Sequence, residues 1–339
     1  MGLVKFIMRR LVFLVLLVIG VSLIVFIISH TVPSDPVLAN LSQRNIDNKE
    51  MVAAFKAKWG YDKPLTTQYL IYLGALLKGD LGVSTRTQRP VATDLGQYFP
   101  ATIELAIFAM VLAVVFGILF GIISAIKRNS AADRLVRGIS VLGASVPSFW
   151  LALMMLLLFY VILGVAPGPG RLGSRFSAPH AVTGLFVLDA LIAGNLPLAI
   201  DALSHLVLPG IVLAVFTMGL IARTTRSSLL DVLSMDFIRT ARAKGLAEDK
   251  VITRHALGNA LIPVVTVIGL GFGNLLGGMV LVETIFAWPG IGRYAYQAAR
   301  NLDFPAIIGV SILIAVNYVV INLVVDILYG ILDPRVRYE

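Results

Sequence analysis

The chain contains no cysteine among its 339 residues. Disulfides, thiolate catalysis and thiolate metal sites are therefore excluded. Charge is also scarce: Asp, Glu, Lys and Arg make up 14%, against roughly 25% in a soluble globular chain. There are four histidines, His30, His180, His205 and His255, scattered along the sequence with no HExxH among them. That spacing offers no metal site. No GxxxxGK[ST] run is present, so the chain has no P-loop for nucleotide. Gly143-Ala144-Ser145 lies in an apolar run and could suggest a serine nucleophile, but no histidine stands in an expected span to act as its base. Small residues for close helix packing are the better reading.

What the chain has in excess is apolar residues, 58% of the total. Long apolar runs predict six membrane spans, at about 11–29, 101–126, 138–163, 206–222, 261–282 and 306–332. Each is long enough for a bilayer, which takes about 17–25 residues per helix. Lys5, Arg9 and Arg10 precede the first run. That run is longer than a signal-peptide core and lacks a cleavage site after it, so it reads as a retained span. Pro147 predicts a kink in the third span. The partly apolar piece 185–192 is too short to cross and reads as interfacial or re-entrant.

The net charge of +9 comes from basic residues clustered at span ends, which points to topology rather than to nucleic acid. Sixteen of the 28 Lys and Arg lie in residues 1–10, 127–137, 223–263 and the tail. The positive-inside rule then makes those segments, and both termini, cytoplasmic. On the outer side, residues 32–97 form a small helical subdomain. In it Asp47 and Glu50 resemble a capping box, Gly60 closes that helix, and 66–78 carries a Tyr69, Tyr72, Leu73 and Leu76 stripe. The remaining divisions are 1–31 for the first span, 98–330 for the transmembrane domain and 331–339 for the tail. No repeat of 20–50 residues is visible.

The largest inner loop, 223–263, has its own helix signals. Asp236 is placed to be an N-cap. Phe237 and Ile238 open an eight-residue helix, Arg242 and Lys244 suit its last turn, and Gly245 supplies the left-handed position that ends it. Phe237, Ile238 and Ala241 share one face, with Arg239 and Arg242 beside them. The residues leave two readings open: a plug for a groove in another protein, or a solvated connection between spans.

Other residues stand out by type and spacing. Gly269, Gly273 and Gly277 recur at every fourth position of the fifth span, with Gly271 and Gly278 nearby. This is a small-residue face, read as a permease interface or pore side. Gly117 and Gly121 repeat the spacing in the second span and read as ordinary packing. Asp326, with Asn317 and Asn322, lies in the last span near its inner end. A salt bridge to Arg10 or Arg223 is the better role for it than contact with a cargo. Glu104 and Glu283 stand near outer span ends, and Trp288 fits an aromatic belt anchor.

Taken together, several stretches resemble one family, the inner-membrane permease subunits of ABC-type importers for dipeptides and oligopeptides, in particular the dipeptide permeases of first-subunit type. Arg239-Thr240-Ala241-Arg242-Ala243-Lys244-Gly245-Leu246 is similar to the family's signature loop, and Leu261-Ile262-Pro263 to its closing segment. Further likenesses are Glu283-Thr284-Ile285-Phe286 with Trp288-Pro289-Gly290-Ile291-Gly292-Arg293, Pro33-Ser34-Asp35-Pro36, Lys63-Pro64 with Gly79-Asp80-Leu81-Gly82, and Asp326 through Asp333-Pro334-Arg335. The wider signature opens Glu-Ala-Ala, whereas Arg239 and Thr240 fill the first two places here and only Ala241 agrees. Pro263 also stands further off than in sugar permeases.

The resemblance implies an all-α membrane protein with the type I ABC importer permease fold. It implies that Asp236 to Leu246 is a coupling helix docking on an ATPase subunit. The partners implied are a second homologous permease, two ATPase subunits that hold ATP and Mg, an extracytoplasmic binding protein, a peptide cargo and membrane lipid. No cofactor and no catalytic residue are expected in this chain. The expected place is the bacterial inner membrane. Nickel, glutathione and oligosaccharide importers share the architecture. A secondary transporter would need intramembrane carboxylates and an internal repeat, an intramembrane hydrolase an activated serine, and a channel a polar ring.

Overall fold

A computed structural model describes residues 3–31, 50, 52–53, 57 and 62–332. Asp47 and Gly60, and with them the capping box and the first outer helix, lie outside the described residues. The described residues form α1 (Leu3–Thr31), α2 (Leu65–Leu77), α3 (Val91–Ile126), α4 (Ala131–Ser145), α5 (Ser148–Ile162) and α6 (Phe186–Ile192). There follow α7 (Leu196–Leu233), α8 (Asp236–Ala243), α9 (Glu248–Ala260), α10 (Ile262–Ile285), α11 (Ile291–Arg300) and α12 (Phe304–Leu332). Four of these helices are long and apolar enough to cross a membrane, and six spans result if each of two bent pairs counts as one.

The two bent pairs are where the expected helices differ most from the observed ones. Pro147 does not kink a continuous third span. It ends one helix and begins another, with 107° between α4 and α5. Proline disfavours helical backbone at the residue before it, and here Val146 is extended (φ −82°, ψ 125°). The pair α9 and α10 bends by 52°.

Several helices also run past their apolar stretches. α7 starts ten residues earlier than its apolar run, because Asn195 caps it, accepting from the Leu198 N–H at 3.1 Å, and Pro197 suits the first turn. Hydropathy misses this turn because Asp201 and His205 interrupt it. His205 thus stands inside a helix, contrary to expectation, with Nδ1–H donating to the Asp201 carbonyl at 2.8 Å. The Ser145 hydroxyl donates to the Val141 carbonyl at 2.9 Å, a helix back-bond.

The chain divides into two compact units, Met1–Thr102 with Pro289–Val320, and Ile103–Trp288 with Ile321–Glu339. In the first, the α2 stripe finds its partners on membrane helices: Tyr72 packs with Phe26 of α1 and with Ile308 and Ile312 of α12, flanked by Tyr69 and Leu76. Periodicity identified that face but could not say what covers it. A buried polar cluster organises the turn before α3. Ser84 donates to Asp303 at 2.5 Å, and Thr87 and Tyr294 both donate to Asp94, at 2.5 and 3.1 Å. Burial, and then the Asp94 carboxylate, push the Tyr294 hydroxyl's pKa up, so it remains a donor.

In the second unit α7 is the central helix. α3 lies beside it in parallel, with Gly117 facing Ile221 and Gly121 facing Thr225. α4 and α10 lie antiparallel to it, with Gly143 facing Val215, Gly219 facing Ser140, and Gly271 facing Thr217. The expected packing role of Gly117, Gly121 and Gly143 is therefore what the structure shows. This register gathers the end of α3, the start of α4, Arg226 and the start of α10 at one end of the unit. It is the end where the basic loops cluster.

A Cβ added at Gly121 would lie 2.8 Å from the Ala222 carbonyl oxygen. Backbone cannot step aside as a side chain can, so Gly121→Val is expected to destabilise the protein by about 1–3 kcal/mol. Its melting temperature in detergent should fall. Gly74→Val, where nothing lies within 4 Å of the added atom, should change it far less.

Candidate functional site

α8 is reached directly from α7. Ser234 closes α7 with its N–H on the Asp231 carbonyl, and Met235, in extended backbone, opens α8 over eight residues. The expected cap is thereby corrected. Asp236 is the first helical residue, not the N-cap, and its carboxylate makes no capping bond; it lies exposed 3.4 Å from Arg239. Its charge still suits the helix's positive end. At the other end Gly245 has φ +72°, the left-handed conformation expected of it, and its N–H reaches the Arg242 carbonyl at 2.9 Å.

The two sides of α8 differ sharply. Ile238 (0% exposed) and Ala241 (7%) face inward, into a cluster with Ala125 of α3, Leu229 and Val232 of α7, and Val251, Ala256 and Ala260 of α9. Phe237 is 42% exposed, and Arg239, Thr240, Ala243, Lys244 and Leu246 are exposed with it. The three apolar residues expected on one docking face therefore separate. Ile238 and Ala241 hold α8 to its own chain, and Phe237 alone of the three is presented outward. The reason is angular. At about 100° per residue Ala241 lies between Phe237 and Ile238 around the helix, about 40° from the first and about 60° from the second, and the cluster sits on the Ile238 side, which leaves Phe237 at its edge.

One ion pair lies on this helix, and a second ties together the helices near it. Arg242 grips Glu248 through two bonds, Nε to Oε2 at 3.1 Å and Nη2 to Oε1 at 2.6 Å. This pair bridges the Gly245 turn, and the guanidinium holds the Glu248 carboxyl below the usual glutamate range. Behind it, Asp133 (0% exposed) collects donors from four elements. These are Ser124 at 2.5 Å, the Asn129 N–H at 2.9 Å, and Arg226, whose Nε and Nη2 reach the two carboxylate oxygens at 2.8 and 3.0 Å. Arg137 stands at 3.4 Å. Reading the sequence did not single out Asp133. The available signal was that it is the one acid in the basic stretch 127–137.

At the opposite end of the same unit another buried pair holds the loop between α5 and α6. Arg171 donates to Glu104 at 2.5 Å and to the Gly184 carbonyl at 3.0 Å. Its guanidinium lies between the rings of Phe186 (3.5 Å) and Trp288 (5.6 Å). Trp288 is 1% exposed. It is a stacking partner for an arginine, not the membrane-belt anchor expected of it. Glu104 also accepts from the Val187 N–H at 2.8 Å, and Glu283 is fully buried in α10. Nearby, burial alone would push the Asp189 carboxyl up, but bonds from Thr183, Gly184 and Val182 hold it below the usual range.

The remaining candidates are placed unevenly. Gly269 is buried and Gly273 half-buried, but the close approach to α7 is made by Gly271. The surroundings of Gly277 and the side chain of Asp326 lie outside the described residues, and with them the expected pairing of Asp326 with Arg10 or Arg223.

Comparison with known proteins identifies the family and the fold. Residues 117–338 match the family described as binding-protein-dependent transport system inner membrane component, and residues 3–106 match its N-terminal family. A probable D,D-dipeptide transport system permease protein of Escherichia coli K12 is 47% identical over 95% of this chain and 94% of its own length. A dipeptide transport system permease protein of Alkalihalophilus pseudofirmus is 44% identical over 98% of both chains. Among solved structures, the inward-facing MetNI methionine ABC transporter superposes with a TM-score of 0.51 at 19% identity, over 69% of this chain and 93% of that one. That likeness establishes the fold.

Because Ala241 faces its own chain, Ala241→Asp should act first on folding. A lone carboxylate in that cluster costs about 3 kcal/mol or more. Limited proteolysis of the chain without partners should show new cleavage between residues 234 and 260.

Proposed function

The chain belongs to the family of binding-protein-dependent transport system inner membrane components, and on that premise we propose that it forms half of the translocation pathway of an importer for di- and oligopeptides. It is a multi-pass inner-membrane permease subunit of an ABC importer. The cargo is inferred from relatives above 40% identity over nearly the whole chain that are named for dipeptide transport. In this reading both termini and the 223–263 loop are cytoplasmic, in keeping with the basic residues there. The partners are a second homologous permease, two ATPase subunits carrying ATP and Mg, and an extracytoplasmic peptide-binding protein.

The observation that carries the coupling role is the division of α8 into an anchored side and a presented one. A helix meant only to connect two spans has no need of an exposed phenylalanine in its first turn. Held from within by Ile238 and Ala241, α8 offers Phe237, with Lys244 on the same side, to a groove on an ATPase. Aromatic and arginine side chains are the usual anchors of such contacts. Energy released in the ATPases reaches this chain as movement of α8. α7 and α9 carry that movement into the membrane.

Phe237→Ala should lower co-purification of the ATPase subunits with the permease about tenfold, and Ala241 should not be replaced for this purpose. Gly245→Val tests the coupling itself. A Cβ there meets nothing within 4 Å, so the penalty is backbone strain alone, about 1–2 kcal/mol. ATP hydrolysis by the assembled importer should persist while peptide uptake falls about tenfold, with membrane insertion unchanged. Full uptake by this variant counts against the coupling role. Uptake of nickel, glutathione or an oligosaccharide in place of dipeptides overturns the cargo.

A further inference from the structure

The 107° break between α4 and α5 lies at a depth that α7 fixes. Gly143, just before the break, faces Val215. Val215 precedes Arg226 by eleven residues, about 16 Å of helical rise. It follows Asp201 by fourteen residues, about 21 Å. The break therefore lies near the middle of a hydrocarbon core about 30 Å thick. Non-helical backbone at that depth is tolerated only where protein covers it or where it lines a water-filled space. A face given over to lipid tails is excluded.

At the break stands a cavity of about 250 Å³, lined by Val146, Ser148 and Leu151 on one side and by Val212 and Thr217 of α7 and Leu275 of α10 on the other. Its lining side chains are apolar except for the hydroxyls of Ser148 and Thr217, and none is charged. A dry apolar cavity of about 150 Å³ already holds benzene, so this one has room for an aromatic ring and part of the chain that bears it. A charged side chain would lose its water here with nothing in return. A fixed apolar knob from a neighbouring subunit would leave the Ser148 and Thr217 hydroxyls facing hydrocarbon. A transient polar-backed occupant would not.

We propose that this cavity is a subsite for the cargo in transit. It takes one uncharged aromatic or branched aliphatic side chain of a peptide, and Ser148 and Thr217 meet the peptide's amide groups. This rests on the peptide-importer reading. The site discriminates by side chain after delivery, so it acts on the maximal rate of uptake.

The test uses the assembled importer with its partner subunits in proteoliposomes. Half-buried Ser148 stands at the break, and Ser148→Leu fills the cavity. The quantity read is the maximal uptake rate of glycylphenylalanine divided by that of glycylglycine, which is independent of how much protein inserts. The ratio should fall about tenfold in the variant. An unchanged ratio overturns the proposal. A photo-crosslinking residue at position 148 gives a second reading during turnover. A covalent adduct with labelled peptide supports the subsite, and adducts with the second permease or with lipid alone overturn it. If the unaltered importer takes up neither dipeptide, the peptide-cargo reading itself has failed, which is a distinct result.

Discussion

Helices in a bilayer gain little from leaving lipid for each other, so their association depends on how closely their backbones can approach. In the larger unit that approach is made around α7. Gly117 and Gly121 bring α3 to it, Gly143 and Gly219 bring α4, and Gly271 brings α10. At each point an added Cβ would lie within 3.0 Å of a neighbouring atom. The contacts run in register from near the C-terminal end of α7 toward its middle, with α3 parallel to it and α4 and α10 antiparallel. α8 in turn rests in part on the far end of α7, at Leu229 and Val232.

Charge is kept to the two ends of that arrangement. At one end Asp133 binds Arg226; at the other Glu104 binds Arg171 between two aromatic rings. Each buried carboxylate has further donors, as a charge removed from water requires. Between the two pairs the walls of the α4–α5 break carry only hydroxyls. This placement explains how a chain with so little charge uses it: the ions fix the ends of helices and leave the middle neutral.

Much of this was readable in the residues. The apolar runs gave the cores of the helices, and Gly245 gave the close of α8, because left-handed backbone strongly favours glycine. Gly117 and Gly121 announced close packing by their spacing alone. Other features were not legible, for reasons of the same kind. A period of 3.6 identifies a face but not its partner, so Ala241 was expected outward when it faces Ala125 and Val251 of its own chain. Likewise the stripe on α2 gave no sign that Phe26 and Ile308 cover it. Arg171 and Trp288 are far apart in sequence, and nothing local to Trp288 separates a stacked ring from a membrane anchor. Pro147 marked a disturbance correctly, but its size depends on how α5 is received by α7 and α10.

The seat of α8 has one more consequence. Ile238 and Ala241 rest on residues from α3, α7 and α9 together. A short rod standing on three supports cannot rock against one of them without displacing the other two. A displacement of α8 is therefore shared among α3, α7 and α9 and cannot be absorbed at one contact alone.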